Sequence, residues 1–554
     1  MRKIRKIGKW LLYVAGFFLV LLAGLFIYLY FVSKVDPPAI ADRSIEKSGR
    51  SNPSGNFYYL GNSWFRKSRS GLYELYVEGG SFERGVINGK LTQELVQRQE
   101  DHFSEQIEKM IPSAFYRHFL KYFIGWFNRD LPGNVKEEYR REIYGVSLAA
   151  SDKYGYIGTP YQRILNYHAA HDIGHALQSM ALVGCTSFGT WDARSKDSAF
   201  IIGRNFDFYV GDKFAEDKIV AFIKPDSGYG FMTVTWGGFT GAVSGMNERG
   251  LTVTINAAKT DLPPGSATPV SLVAREILQY AGNIEEAVKI ARSRTMFVSE
   301  SFLVGSAADN KAVVVEKTPT ALDVYDPQQN YIVCANHFQS RELGALPSNQ
   351  QQIRESASEY RYQRVMELLD QTPRNTVPET IKILRDTKGL AGADIGLGNE
   401  KAINQLIAHH SIVFEPKKKL VWVSTAPWQV GEYVCYDLEK VFNLKGLRTD
   451  REIVDSSLLV APDSLLYMAA FNNFELFRSF KQRILDGGMA DPDSIVASNP
   501  NYYHAYVLAG DMAVQQKNRG NAIRYYQQAL AKEIATLNEK EAIEEKIRQL
   551  TGRR

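Results

Sequence analysis

Cysteine is scarce: Cys185, Cys334 and Cys435 are the only three in a chain of 554 residues. Three scattered thiols build neither a disulfide framework nor a CxxC metal site, which leaves chemistry as a role for one of them. An excess of charge is also missing. The formal net charge is +5, and Arg2, Lys3, Arg5, Lys6 and Lys9 account for it, leaving Lys and Arg equal in number to the 61 Asp and Glu. A neutral body lacks the phosphate-neutralising surface that nucleic acid requires, so a nucleic-acid partner is excluded. Compositional bias is absent too: 45% hydrophobic, 23% charged, 43 Gly and 20 Pro describe an ordinary folded protein, not a disordered or collagenous one. At roughly 150 residues per domain, the length allows two to four domain-sized units.

Charge disappears altogether from Trp10 to Val32. At 1.5 Å per residue this run spans a bilayer core of ~30 Å. A cleavable signal would carry an apolar stretch of about 7 to 15 residues, and the small-residue site Ala39-Ile40-Ala41 lies well beyond this one. An uncleaved anchor is expected, with a very apolar buried helix as the alternative. Five bases and no acid precede the run, whereas Lys34, Arg43 and Lys47 are offset by Asp36, Asp42 and Glu46. That asymmetry predicts a single pass through the cytoplasmic membrane, amino terminus inside and the bulk of the chain periplasmic or extracellular.

The rest divides by pattern. Residues 1–9 read as a basic tail, 10–32 as the anchor and 33–56, rich in Pro, Ser, Gly and alternating charge, as a linker. Residues 57–184 read as helix-rich, with helical spacing in Phe115 to Phe127 and Tyr144 to Ala150. Over 185–445 the period changes to short β-branched runs such as Ile219 to Ile223, Met232 to Trp236 and Leu251 to Ile255. Helices are expected from Ser271 to Tyr280, from Ile284 to Arg292 behind the cap Asn283, and from Glu359 to Leu369, with a hairpin around Lys417-Lys418-Lys419. Consecutive strand runs interrupted by helices favour a layered α+β architecture over a doubly wound sheet. Residues 446–554 turn helical, and Leu508, Gly510, Ala522, Tyr526 and Ala529 occupy the small and aromatic positions of one tetratricopeptide-like hairpin. One unit cannot form a solenoid, so packing on the core is its expected role and recruitment of a protein partner the alternative.

The chemistry is carried by pieces that are weak singly: Gly184-Cys185-Thr186-Ser187, then Gly203-Arg204-Asn205-Phe206-Asp207, then Asn247 to Asn256, then Asn336-His337. A glycine before a thiol permits close backbone approach, an arginine and an aspartate three apart can reach one sulfur and one amine, and asparagine amides can donate to an oxyanion.

In this order the pieces resemble the N-terminal-nucleophile (Ntn) hydrolase superfamily over roughly Leu72 to Asp437, its acyl-coenzyme A:6-aminopenicillanic acid acyltransferase branch (peptidase family C45-like) more than choloylglycine hydrolase. The resemblance implies a four-layer αββα core and self-cleavage of the Gly184-Cys185 bond, which would make 57–184 a propeptide segment. It also implies acyl transfer or hydrolysis at a linear amide or thioester. Residue by residue, Cys185 resembles the nucleophile, Asp207 the carboxylate that holds its α-amine, Arg204 the arginine beside the sulfur, and Asn256 and Asn336 the oxyanion donors. Arg361 resembles the second site arginine, although Arg364, one helical turn away, could take its place.

The chemistry also stands without the family. A cysteine with a free α-amine carries its own base, of pKa ~7.7 to 8.0, and needs no catalytic histidine. While the α-nitrogen is still an amide, substrate turnover is not expected.

No cofactor and no metal are expected. His171 and His175 share a helix face, as in HExxH, but Asp172 stands at the glutamate position and no third ligand is evident. His409-His410 reads as structural, with contact to substrate the alternative; Trp422 and Trp428 read as core or pocket lining. The leading reading is a membrane-anchored, self-cleaving acyl-transfer enzyme for a small N-acyl or acyl-thioester substrate, lipid-like ones included. The alternative is a membrane-tethered binding scaffold with an inactive core and a partner-binding helical tail.

Overall fold

A computed structural model describes residues 2–177, 184–208, 211–259, 265–444 and 446–552. Seventeen strands are found among them. In chain order they are β1 (Ser51–Ser54), β2 (Phe57–Leu60), β3 (Ser63–Lys67), β4 (Tyr73–Gly79), β5 (Thr186–Thr190) and β6 (Ile201–Phe206). Next come β7 (Ile219–Pro225), β8 (Phe231–Thr235), β9 (Ser244–Asn247), β10 (Leu251–Ala257), β11 (Glu300–Ser306) and β12 (Lys311–Lys317). The last are β13 (Leu322–Tyr325), β14 (Tyr331–Cys334), β15 (His410–Glu415), β16 (Leu420–Ser424) and β17 (Tyr433–Asp437). One sheet of eleven strands runs β1-β2-β3-β4-β7-β8-β9-β10-β11-β12-β13, and a second of six runs β14-β5-β6-β15-β16-β17.

Alternation along each strand sets the layers, since successive side chains point to opposite faces. On β7, Val220 and Phe222 join β8 Met232 and Val234 in a cluster that also holds Ile202, Ile412, Phe414, Val421 and Tyr436 of the second sheet. The other face of β7, Ile219, Ala221 and Ile223, packs under helices, as do Val253 and Ile255 of β10. Val413, Trp422 and Cys435 turn outward in the second sheet and meet a separate helical layer. The result is helix, sheet, sheet, helix.

Helices of the first layer are α2 (Ser81–Leu91), α3 (Gln93–Met110), α4 (Ala114–Phe127), α5 (Leu131–Asn134), α6 (Glu137–Ser147), α7 (Pro160–Leu177), α8 (Val270–Tyr280) and α9 (Ile284–Ser293), following the long amino-terminal α1 (Arg2–Val32). The outer layer on the second sheet has α10 (Pro347–Glu355), α11 (Ser358–Gln371) and α12 (Val377–Leu384). Caps mark several starts: Asn283 accepts from the N–H of Glu286 at 2.9 Å, and Thr376 from that of Glu379.

Two segments differ from the sequence reading. The stretch 33–56 is packed, not free: Val35 is buried, Arg50 binds Glu94 and β1 pairs with β2. The segment 57–184 supplies strands as well as helices, and β4 pairs with β7 in parallel from Tyr73↔Ile219 to Gly79↔Pro225. Short runs such as Phe57–Leu60 carry no period long enough to declare themselves, and their pairing is set by partners far along the chain.

Five helices from Ala469 to Thr551 form a further unit on the core. Gly510 admits Tyr526 against its backbone, where a Cβ would fall 2.4 Å from the ring. Asn399 Nδ2 donates to the Glu533 carbonyl and Tyr502 Oη to Glu400, so this unit is bolted to the loop preceding β15. Trp428 packs on Phe471 and Phe474, and Trp422 donates its indole N–H to the Leu458 carbonyl; both belong to packing.

Candidate active site

Cys185 begins where the chain enters β5, one residue before Thr186, and is buried. β6 runs beside β5, with Ser187 opposite Arg204, which delivers the arginine to the thiol. Arg204 Nη2 lies 3.5 Å from Cys185 Sγ and also donates to the Ile255 carbonyl, while Nη1 donates to the Val243 carbonyl at 2.7 Å and to Ser244 Oγ. Burial pushes the thiol up to about 11 against the pull of that guanidinium. With the α-nitrogen still in a peptide bond, the sulfur is held as a neutral thiol.

Asp207 ends the same run. Its main-chain carbonyl accepts from the Gly184 N–H at 2.9 Å, and its carboxylate is fully buried with neither oxygen hydrogen-bonded. Burial raises it to about 7, opposed by Arg361 and Arg204. A buried carboxylate without a donor is costly unless something arrives to pair with it.

Asn256 and Asn336 meet the site from two directions. Asn256 Oδ1 accepts from Ser187 Oγ at 2.8 Å and its amide donates to the Cys334 carbonyl at 3.1 Å. The Asn336 amide donates to the Ala257 carbonyl at 3.0 Å, and its Oδ1 accepts from Arg361 Nη2 at 2.7 Å. Each amide therefore spends one of its two N–H groups on a backbone carbonyl. The choice between the two arginines is resolved by their partners. Arg361 faces Asn336 and, electrostatically, Asp207; Arg364 turns to Asp386 at 2.8 Å.

Three neighbours carry no local signal in the sequence. Gln405 Nε2 donates to the Gly184 carbonyl at 2.8 Å, and a Cβ on Gly184 would fall 2.2 Å from that amide and displace it. Glu300 is buried with both oxygens unpaired, within electrostatic reach of Cys185 and Arg204. Ser244 extends the site to the histidines: its Oγ lies 2.8 Å from His410 Nε2, and His410 Nδ1 lies 2.9 Å from His409 Nδ1.

Arg204 can only donate, so Ser244 Oγ accepts from it and shares its other side with His410 Nε2. One hydrogen lies between the two Nδ1 atoms of the histidine pair, and His409 Nε2 has no hydrogen-bond partner. Burial drives both imidazoles well below the usual histidine range, keeping them neutral. His410 is thus three hydrogen bonds removed from the sulfur, through Ser244 and Arg204, and His409 four. The side chains of His171 and His175 lie outside the described residues; Asp172 accepts from the Val270 N–H. Among the described residues no group of His, Cys, Asp and Glu could hold a metal.

Comparison with known proteins agrees with the resemblance read from the sequence. Residues 193–426 match the family model of acyl-coenzyme A:6-aminopenicillanic acid acyl-transferase, a stretch that contains Arg204, Asp207, Asn256, Asn336 and Arg361 and begins after Cys185. An uncharacterized protein of Archaeoglobus fulgidus is 26% identical over 279 residues, covering 47% of this chain and 44% of its own length. Protein dcd1B of Dictyostelium discoideum is 22% identical over 269 residues, covering 46% of this chain and 52% of its own. The chain spans about half the length of these curated relatives. Among solved structures, a Caenorhabditis elegans N-acylethanolamine-hydrolyzing acid amidase ortholog aligns over 42% of this chain and 93% of that one at 19% identity and a TM-score of 0.31. A variant of conjugated bile acid hydrolase from Clostridium perfringens aligns over 49% and 98% at 16% identity and a TM-score of 0.32. The α+β fold is Ntn-hydrolase-like, and residues 193–426 are similar to acyl-transferases of that kind.

Proposed function

We propose that this protein is a membrane-anchored, self-cleaving cysteine hydrolase or acyltransferase that opens a linear amide or thioester through an acyl group carried on Cys185. The observation that carries this reading is the unpaired, fully buried Asp207 carboxylate beside Gly184 and Cys185, a place prepared for a positive charge the uncut chain does not contain. Cleavage of the Gly184-Cys185 bond creates that charge as an α-ammonium.

In the self-cleavage step Cys185 Sγ attacks the Gly184 carbonyl carbon, whose oxygen Gln405 polarises. The C–N bond breaks, the thiol proton passes to the departing α-nitrogen, and the thioester left on sulfur is hydrolysed by water to the Gly184 carboxylate and a free thiol. In turnover the α-amine, held by Asp207, takes the thiol proton; the thiolate, next to Arg204, attacks the substrate carbonyl. The free N–H groups of Asn256 and Asn336 stabilise the oxyanion, and the α-ammonium protonates the leaving amine. Water or an acceptor nucleophile then releases the acyl group. Arg361 holds Asn336 and faces Asp207, which keeps both in place.

The helix Gly8–Val32, apolar and largely exposed, serves as the anchor, and the bases before it place the catalytic part outside. The tetratricopeptide-like hairpin, Tyr503–Gln515 with Arg519–Leu530, braces the loop that carries Glu400 and Gln405. Intact mass and amino-terminal sequencing of the wild-type chain beside Cys185→Ala test the proposal. A fragment beginning Cys185-Thr186-Ser187 and absent from the variant is the expected result; an uncut wild-type chain would overturn it.

A further inference from the structure

Among the described residues, α4 presents a face that is only partly covered. Phe115, Phe119 and Phe123, at helical spacing i, i+4 and i+8, are exposed, Phe115 by 78% and Phe119 by 49%, and Tyr116 is exposed beside them. Soluble surfaces rarely gather so many aromatics in one strip. From Ala114 to Phe127 the helix holds Arg117 and Lys121 but no acidic residue.

The same helix packs on α1. Phe26 of α1 lies edge-on to Phe119 and to Tyr122, both at 6.5 Å between ring centres. Further along, Gly125 abuts Ser33, just past the end of α1, where a Cβ would fall 2.3 Å from the serine Cβ. The two helices therefore run side by side in the same direction. Phe26 stands six residues before Val32, which places Phe119 about 9 Å below the end of the span at 1.5 Å per residue. Phe115, four residues earlier on α4, lies about 6 Å deeper, so the strip falls within one half of a hydrocarbon core ~30 Å thick. Arg117 Nη1 donates to the Ile111 carbonyl at 2.8 Å and Lys121 Nζ to that of Tyr156 at 3.0 Å, which ties both cations to the protein. The other end of α4 is fixed to the core, Phe127 meeting Phe297 at 6.2 Å and its carbonyl accepting from Ser266.

We infer that α4 is a second membrane contact, its Phe115, Phe119 and Phe123 face immersed in the leaflet nearest the folded part, so that the protein lies against the bilayer instead of hanging from α1. The inference rests on the reading of α1 as an anchor. The lipid bilayer is its occupant because the strip is continuous with the one helix long and apolar enough to cross a membrane among the described residues.

The test places a photoreactive benzoylphenylalanine, one position at a time, at Phe115, Phe119, Val20 and Tyr467 of the full chain in phosphatidylcholine–phosphatidylglycerol vesicles, with phospholipid adducts read by mass spectrometry. Tyr467 is 79% exposed on the carboxy-terminal unit and serves as the water-facing control. Adducts at Val20, Phe115 and Phe119 and none at Tyr467 are expected. Adducts at Val20 alone would overturn the second contact and leave the anchor standing. Adducts at none of the four would overturn both, and adducts at Phe115 and Phe119 without Val20 would overturn the anchor and with it a second contact placed beside a spanning α1.

Discussion

Replacing Asp207 by asparagine has opposite consequences before and after cleavage. In the uncut chain, kept uncut by Cys185→Ala, burial lifts Asp207 from 3.8 to about 7, with no contribution from the thiol. A carboxyl raised in the folded state binds a proton there that the unfolded chain has already lost. Stability therefore falls as pH rises from about 4 to about 7 and is level above. A shift of roughly three units at 1.36 kcal/mol each corresponds to about 4 kcal/mol. Asp207→Asn removes the titrating group, so the variant should gain up to that amount at pH 8 and almost nothing at pH 4. Urea denaturation of the paired chains across this range, monitored by tryptophan fluorescence, measures the difference. If the Gly184-Cys185 bond is cut as proposed, the carboxylate faces the α-ammonium, and removing one member of a buried pair costs ~3–5 kcal/mol. There the same substitution should destabilise. A gain at pH 8 no larger than at pH 4 in the uncut chain would refute the reasoning.

Glu142 joins α6 to α2 and α8, accepting from Arg84 Nη2 at 2.5 Å and from Arg275 Nη2 at 2.6 Å. Burial alone would raise it, but Arg275 and Arg84 hold it down to about 2, so its contribution is complete above pH 4.5 and fades as pH falls toward 2. Glu142→Gln should cost ~3–5 kcal/mol at neutral pH by thermal melting. Gln405→Leu should slow self-cleavage by ~10²–10³, as loss of an oxyanion donor does, measured by the appearance of the two pieces on a denaturing gel. Ser244→Ala frees Arg204 from one charged hydrogen bond, worth ~1.5–3 kcal/mol, leaves the guanidinium less compensated beside the sulfur, and should move the pH midpoint of Cys185 alkylation by iodoacetamide downward in the cut enzyme; an unmoved midpoint would detach the histidine chain from the thiol.

Strands were legible where β-branched residues cluster: Leu251 to Ile255 and Ile219 to Ile223 are strands β10 and β7. Helix starts were legible where a cap stands, as at Asn283. β1 to β4 were not, because four short runs are held by pairing rather than by their own pattern. At the site, Cys185, Arg204, Asp207, Asn256, Asn336 and Arg361 could be placed in order along the chain and do converge. Arg361 and Arg364 could not be told apart, since the distinguishing partner, Asp386, lies 22 residues from Arg364. Gln405 sits 221 residues from the carbonyl it binds, and no local spacing points to it. The aromatic period of Phe115 to Phe127 is the same for a core helix and a membrane one; only its exposure separates them.

The parallel pairing of β4 with β7 spans the Gly184-Cys185 bond, so the large sheet draws its strands from both sides of that bond. A protein cut there keeps its shape only as long as it is never unfolded. Once denatured, its halves must find each other by diffusion, and recovery becomes second-order, slowing with dilution, whereas the uncut chain refolds at a rate independent of concentration. The working enzyme would hold its structure by the height of its unfolding barrier, and its lifetime would be a clock started by its own maturation.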